Sequence, residues 1–410
     1  MSRLAIASLL LATSCHRVAP PPALDDSAQR SAMRAPQPKA EAVSAKPLLR
    51  CFAEDASGDP PRPLDALLDR AAERYDKGDF AGSLACAEEA ARVEPRSVEA
   101  HHDRAAALQE LNRLDEAGAA FARALALDPD DPETLAGAAD LYVNRLPPSN
   151  DHTETGLEYA RRGSQRLKRA RLHPPSAPAN RALAARLALL EGQALNDLGR
   201  SREALMRLDA ALAAAPEDPH ARYERAVALF DLCRFADARR GFVEVLDKNP
   251  HDAWAHHHLG LVLERLGDAT GAERELERAR TEAPGDFKAP IVLADLEFRA
   301  LVDSEAAKLT APLRADLAKV KLETADLPDI TDLTAEEPPL APTILGLFRG
   351  APLGESPESE PRAIVIYRKN LARAVSSRDE LVAQVRTTLL HELGHLRGED
   401  DEALRARGLE

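Results

Sequence analysis

Near its end the chain reads HELGHLRGEDDEALRARGLE, which sets His391 and His395 four residues apart with Glu392 beside the first. Helical residues at that spacing lie one above the other on one face, so both imidazoles can reach a single ion. Two neutral imidazoles with this bite suit zinc. Glu392 points beside such an ion without ligating it, where its carboxylate can take a proton from an activated water. The run extends to H-E-x-x-H-x-x-G-x-x-D, and Gly398 lets the chain turn out of the helix and bring a carboxylate back to the metal. Asp401 stands at that place, with Asp400 and Glu402 on either side as alternatives for the third ligand. Three protein ligands leave a fourth position open for water, and the chemistry this arrangement serves is hydrolysis by a zinc-activated water.

The elements that must position these groups are legible around them. SSRDELVAQVRTTLLHELGHLRG reads as one amphipathic helix, opened by a capping box of Ser377 and Glu380 and ended by Gly398. VKLET and AIVIY read as short strands, and the acidic, Pro-rich DLPDITDLTAEEPPLAP between them reads as loop. FKAPIVLADLEFRALVDSEAAKL is a helical stretch interrupted early by Pro290. AIVIY is the expected edge strand along which an extended peptide would pair, with Tyr367 and Arg368 as candidates to steady an oxyanion.

Upstream the pattern is periodic. Pro95 and Pro129 lie 34 residues apart, as do Pro216, Pro250 and Pro284. Before each of these prolines, at the expected turn between two helices, stands Gly78, Asn112, Gly199, Cys233 or Gly267. Small residues recur where the helices of a pair must approach: Ala71, Ala105, Gly192, Ala226 and Gly260. This period resembles the tetratricopeptide repeat. Six units fit residues 64–286, the third degenerate around LPPSNDHTETG, and HPPSAPAN separates two triplets. The resemblance implies an α-solenoid with a groove for a peptide or protein partner, and no chemistry. Paired histidines in this region, His101-His102 and His256-His257-His258, project about 100° apart along a helix, so packing rather than chelation is expected of them.

Composition narrows the partners. Hydrophobic residues make up 44% of the 410, but aromatics only 4%, which suits closely packed short helices. A formal net charge of -14 leaves no broad basic surface, so no nucleic-acid partner is expected. No long apolar run is present to span a membrane. The start, MSRLAIASLLLATSC, resembles a bacterial lipoprotein signal over residues 1–15, with Cys15 as the lipidated residue, although Leu11 stands one place earlier than such signals favour. That resemblance implies attachment to the cell envelope by the lipid alone, with an outer-membrane destination because no Asp follows Cys15, or secretion if the lipid is absent. Residues 16–63, rich in proline, read as a disordered tether. Cys51, Cys86 and Cys233 are odd in number and lack metal-ligand spacing, so no disulfide framework is expected.

The C-terminal stretch 294–410 resembles the small bacterial zincin-like metallopeptidases. The matching phrases run in order: FRALVDSEA, VKLET, ADLP, ILGLFRGAPL, AIVIYRKNL, VRTTLLHELGHLRG and DDEALRARGL. The resemblance implies a minimal α+β zincin fold with zinc on His391, His395 and Asp401 and with Glu392 as catalytic acid or base. It departs from metzincins in lacking a downstream Met-turn, since the methionines are Met1, Met33 and Met206. The expected whole is a mostly α protein: a tetratricopeptide solenoid followed by a small zincin-like domain that cleaves substrate delivered by the repeats. The rival expectation, a scaffold lipoprotein whose zincin domain is structural or inactive, gives Glu392 no task.

Overall fold

The computed structural model describes residues 51, 63–169, 178–355 and 361–409. The Cys15 signal and nearly all of the 16–63 tether lie outside them. The chain divides into two compact units, whose described parts run from Cys51 to Ala194 and from Leu195 to Leu409.

The first unit is a run of helix pairs: α1 (Leu64–Asp76) with α2 (Phe80–Val93), α3 (Val98–Glu110) with α4 (Leu114–Leu127), and α5 (Pro132–Asp140) with α6 (Asn150–Arg169). It ends within α7 (Pro178–Asp197). Side-chain caps start several of these helices: Asp79 accepts from the Gly82 N–H, Ser97 from Ala100 and Asp131 from Thr134. The degenerate third pair differs because α5 runs into a π-helical turn, Leu141–Arg145, before Pro147 and Pro148 break the backbone.

The second unit continues the pairing with α8 (Ser201–Ala214), then α9 (Pro219–Asp231) with α10 (Phe235–Lys248), and α11 (Ala253–Arg265) with α12 (Ala269–Glu282). In both units the periodic turn residues share one backbone feature: Gly78, Asn112, Gly199, Cys233 and Gly267 all have positive φ. Glycine and asparagine accept that conformation readily, and Cys233 is the exception. Gly260 shows why its position is small, since a Cβ there would lie 2.7 Å from Leu276 Cγ.

Beyond Glu282 the pairing stops. Residues 287–294 are not helical, and helix α13 (Asp295–Ala307) begins only after Pro290. Glu297 accepts the Ala294 N–H to close its first turn. There follow α14 (Ala311–Leu317), β1 (Lys321–Ala325), α15 (Ile330–Leu333), β2 (Gly346–Arg349), β3 (Ala363–Tyr367), α16 (Arg368–Ala374), α17 (Arg378–Leu396) and α18 (Asp401–Ala406). The sheet order is β1-β3-β2, with β1 parallel and β2 antiparallel to β3. Ile364 and Ile366 pack with Leu389 and Leu393 of α17, while Val365 and Tyr367 pack on the opposite face with Leu333 and Leu347. AIVIY is therefore the central strand and not the edge: being apolar on both faces, it is buried between its neighbours. The edge beside α17 is β2, whose four residues lie in ILGLFRG and give too short a pattern to read as a strand.

Within this unit the last repeat is tied to the sheet domain. Glu264 at the end of α11 accepts from Lys369 at 2.9 Å and from Arg373 at 2.8 Å. Burial alone would raise the Glu264 carboxyl, but the hydrogen bonds and charges of Arg373 and Lys369 hold it below its ordinary value. Arg265 donates to the Pro328 carbonyl at 2.7 Å.

One cysteine expectation is overturned. Cys51 and Cys86 form a disulfide, their Cα atoms 4.4 Å apart. Cys86 faces inward on α2, and Cys51 packs beside it among Leu67, Ala71 and Ala90, its carbonyl held by Arg74 at 2.9 Å. The odd count concealed this pair because Cys233, at a turn elsewhere, stays free. No helix among the described residues is long and apolar enough to cross a membrane.

Candidate metal centre

Helix α17 is built to hold one face in the core and the adjoining face on the site. Leu381, Val385, Leu389, Leu393 and Leu396 are buried against the sheet, and Thr388, His391, Glu392 and His395 follow the neighbouring stripe. Ser377 caps it, accepting from the Glu380 N–H, while the Glu380 carboxylate accepts from Ser376, one residue earlier than a strict capping box. At the other end Gly398 has φ +86 and its N–H bonds to the His395 carbonyl, so the chain reverses there.

The reversal starts α18 at Asp401 and lays it back on α17. Gly394, inside the H-E-x-x-H run, allows this, because a Cβ at that position would collide with Leu404 of α18. The result brings three groups together: His391 Nε2 and His395 Nε2 are 2.9 Å apart, and Asp401 Oδ1 is 3.7 Å from the first and 3.4 Å from the second. Among the described residues this is the cluster of three metal-ligating side chains. Asp400 is engaged elsewhere, its carboxylate capping α18 at the Ala403 N–H, and Glu402 is exposed outside the cluster.

These separations can be tested against an ion. Zinc bonds of about 2.0–2.1 Å in tetrahedral geometry put ligand atoms about 3.3 Å from one another. The three observed edges bracket that value, and Asp401 Oδ1 is buried with no hydrogen-bond donor to explain its place. His391 supplies a further sign. Its Nδ1 lies 2.6 Å from the Leu409 carbonyl, which can only accept, so the ring proton belongs on Nδ1 and the Nε2 lone pair faces the cluster. The residues present fit a zinc ion.

Glu392 is fully buried beside this group, and neither carboxylate oxygen has a hydrogen bond of ordinary geometry. Burial pushes its carboxyl well above the usual range; the Phe348 backbone N–H opposes part of that rise and the Asp401 charge adds to it. Gly346 of β2 makes room for it, since a Cβ there would lie 2.6 Å from Thr388 Cγ2 and 2.8 Å from Glu392 Oε1. Gly346 and Gly394 are positioning residues that the motif reading passed over; the one available sign was a glycine inside H-E-x-x-H itself.

Tyr367 and Arg368 are not at the site. Tyr367 turns to the sheet face away from α17 because strand side chains alternate, and Arg368 donates to Asp326 at 2.8 Å and to the Leu293 carbonyl at 2.6 Å. The repeat histidines are packing residues, as their spacing predicted. His101 bonds the Pro95 carbonyl and His256 pairs with Glu275.

Comparison with known proteins agrees with this layout. A family model described as zincin-like metallopeptidase matches residues 317–409, and tetratricopeptide repeat models match 68–132, 195–256 and 230–287. Among solved structures, PilF of Pseudomonas aeruginosa is 15% identical over 59% of this chain and 97% of its own, with a TM-score of 0.45. PilW, a type IV pilus biogenesis factor, is 22% identical over 54% of this chain and 94% of its own, also at 0.45. YrrB, a TPR protein with an unusual peptide-binding site, is 19% identical over 48% of this chain and 92% of its own, at 0.37. The chain is a tetratricopeptide repeat protein with a C-terminal zincin-like domain.

Proposed function

We propose that this protein is a zinc-dependent peptidase whose repeats bind its substrate or a partner protein. The observation that carries the proposal is the triangle of His391, His395 and Asp401, sized for one ion, with the unpartnered Glu392 carboxylate beside it. A zinc ion held there would polarise a peptide carbonyl and lower the pKa of a water. Glu392 accepts a proton from the attacking water on a carboxylate oxygen and returns it to the amine nitrogen as the C–N bond breaks. No side-chain hydrogen bond holds that carboxylate, and the Phe348 backbone N–H is the one donor that faces it among the described residues. Among the described residues strand β2 pairs with β3 alone, and Glu392 lies against Gly346, so an extended peptide pairing along the outer edge of β2 would lie next to the proton carrier.

A purely structural zinc site would need no buried carboxylate outside its ligand set, which weighs against the scaffold reading. We place the protein in the cell envelope, anchored through Cys15. The Cys51–Cys86 disulfide supports an oxidising compartment.

The test is metal analysis of the full chain beside a peptide-library cleavage assay. One zinc per chain with cleavage is expected. Glu392→Gln should keep the zinc and lose hydrolysis by about 10²-fold or more. A wild-type protein that holds zinc but cleaves nothing, and behaves as Glu392→Gln does, would overturn the peptidase reading.

A further inference from the structure

The first unit contains a cavity of 240 Å³ that the peptidase chemistry does not use. That is below the range of about 300–1,000 Å³ typical of drug-sized ligand sites, and suits a single side chain. Its wall includes Tyr75, Asp76, Asp103, Gln109, Glu110 and Asp140. Two of these acids are already satisfied: Asp140 accepts from Gln109 at 2.5 Å and from Asn144 at 2.8 Å, and Glu110 accepts from Arg145 at 2.7 Å.

Two acceptors are left over. The Asp103 carboxylate has neither a hydrogen bond nor an ion pair among the described residues, and burial, with the charge of Glu99 adding, pushes its carboxyl up to about 7. Gln109 is only 6% exposed, its amide nitrogen is taken by Asp140, and its buried amide oxygen has no donor. A buried acceptor is ordinarily paired, so the Gln109 amide oxygen lacks its donor; Asp103 is only partly buried, and His102, also in the lining, has a buried Nδ1 without a partner. Arg186 also lines the cavity but is exposed and makes no ion pair with Asp103.

We propose that this cavity receives one basic side chain, the guanidinium or ammonium group of a protein partner, which donates to Asp103 and to the Gln109 amide oxygen. Both groups carry several N–H donors and no acceptor, which is the complement of what the wall lacks. Tyr75, packed edge-to-face on Phe80, is an aromatic residue of the same lining. Asp76, exposed, adds a second carboxylate to the lining. The proposal deepens the reading of the repeats as a partner-binding surface and names the chemistry that the partner must present.

The probe is a blocked Gly/Ser octapeptide with one central arginine, followed by fluorescence anisotropy against the full chain at about 0.15 M salt, where long-range attraction to an acidic protein is screened. The same peptide with citrulline, which keeps the shape and loses the charge, should bind at least about tenfold more weakly, and Asp103→Asn should cost the arginine peptide a similar factor. Asp151→Asn, on α6 and outside the cavity lining, should leave binding unchanged and controls for net charge. Unchanged melting of Asp103→Asn shows that the fold is intact. Equal binding of the arginine and citrulline peptides, equal binding by wild type and Asp103→Asn, or no binding of the arginine peptide overturns the proposal. A matching panel of acidic and apolar peptides then separates the two readings, because capture of these alone keeps the repeats as a partner surface while removing the cation site.

Discussion

His256 in the last repeat and His391 in the zincin-like domain are equally buried, each 3% exposed, but their rings meet different surroundings. Both nitrogens of His256 are taken by the protein, Nδ1 by Glu275 at 2.7 Å and Nε2 by the Pro250 carbonyl at 3.0 Å. His391 sets Nδ1 against the Leu409 carbonyl and directs Nε2 at His395 and Asp401. A histidine that holds two helices together and one whose Nε2 faces a second imidazole and a carboxylate are distinguished by what surrounds the ring, not by burial. The same contrast separates the regions. In the repeats, stability is spread over many equivalent contacts. In the site domain, single positions such as Gly394 and Gly346 each carry a geometric requirement.

The sharpest way to break this comparison is to remove each ring in turn. His391→Ala should weaken zinc binding by more than about 100-fold, since it deletes one of three protein ligands, with Asp401→Ala a smaller loss because Asp400 and Glu402 stand close by. His256→Ala should leave zinc binding alone and cost about 2 kcal/mol of stability, because Glu275 keeps only the partial company of Arg274 and Arg278. Competitive chelator titration beside thermal melting reads both; zinc loss in His256→Ala would erase the distinction.

Next in size is the covalent tie in the first repeat. Removing the bond between Cys51 and Cys86, which closes a span of 35 residues, should destabilise the first unit by about 2–4 kcal/mol in the oxidised protein. Denaturant melts of Cys86→Ser should show this loss with zinc affinity unchanged, and a change in zinc affinity would overturn this expectation.

Gly394→Val tests the single-position character of the site. Crowding Leu404 should displace α18 and Asp401 and lower zinc affinity about 10–100-fold, the range seen when the support of a ligand is disturbed. Wild-type affinity in that variant would show that Asp401 is dispensable.

The smallest effect is expected at the tie between the last repeat and the sheet domain. Glu264→Gln keeps the shape but removes the charge that Arg373 and Lys369 share, and Lys369 is partly in solvent, so a loss of about 1 kcal/mol in the second unit is expected. No change in zinc binding should accompany it.

The repeat fold was open to reading because its signals are local. A helix pair sets its own turn, and Gly78, Asn112, Gly199, Cys233 and Gly267 recur at one phase of the period, each with the left-handed backbone the turn demands. The H-E-x-x-H geometry was open for the same reason, four residues being one turn of helix. What escaped were relations across the chain. Strand β2 is four residues long, too short to announce itself, so AIVIY looked like an edge until β2 and β1 flanked it. Alternation along a strand hides which face a residue takes until the sheet has neighbours, which is why Tyr367 looked available.

By itself, then, the sequence determined the period, the turns, the mostly helical class and the face on which His391 and His395 stand together, since each depends on neighbours within one helix pair or one helical turn. Tertiary structure decided which of Asp400, Asp401 and Glu402 meets those imidazoles, that Cys51 finds Cys86, and that a carbonyl near the end of the chain sets the tautomer of His391. Each of these is a contact between segments whose separation in space is fixed only when the helices pack, and packing is settled by close approaches such as Gly394 against Leu404 that no local pattern encodes.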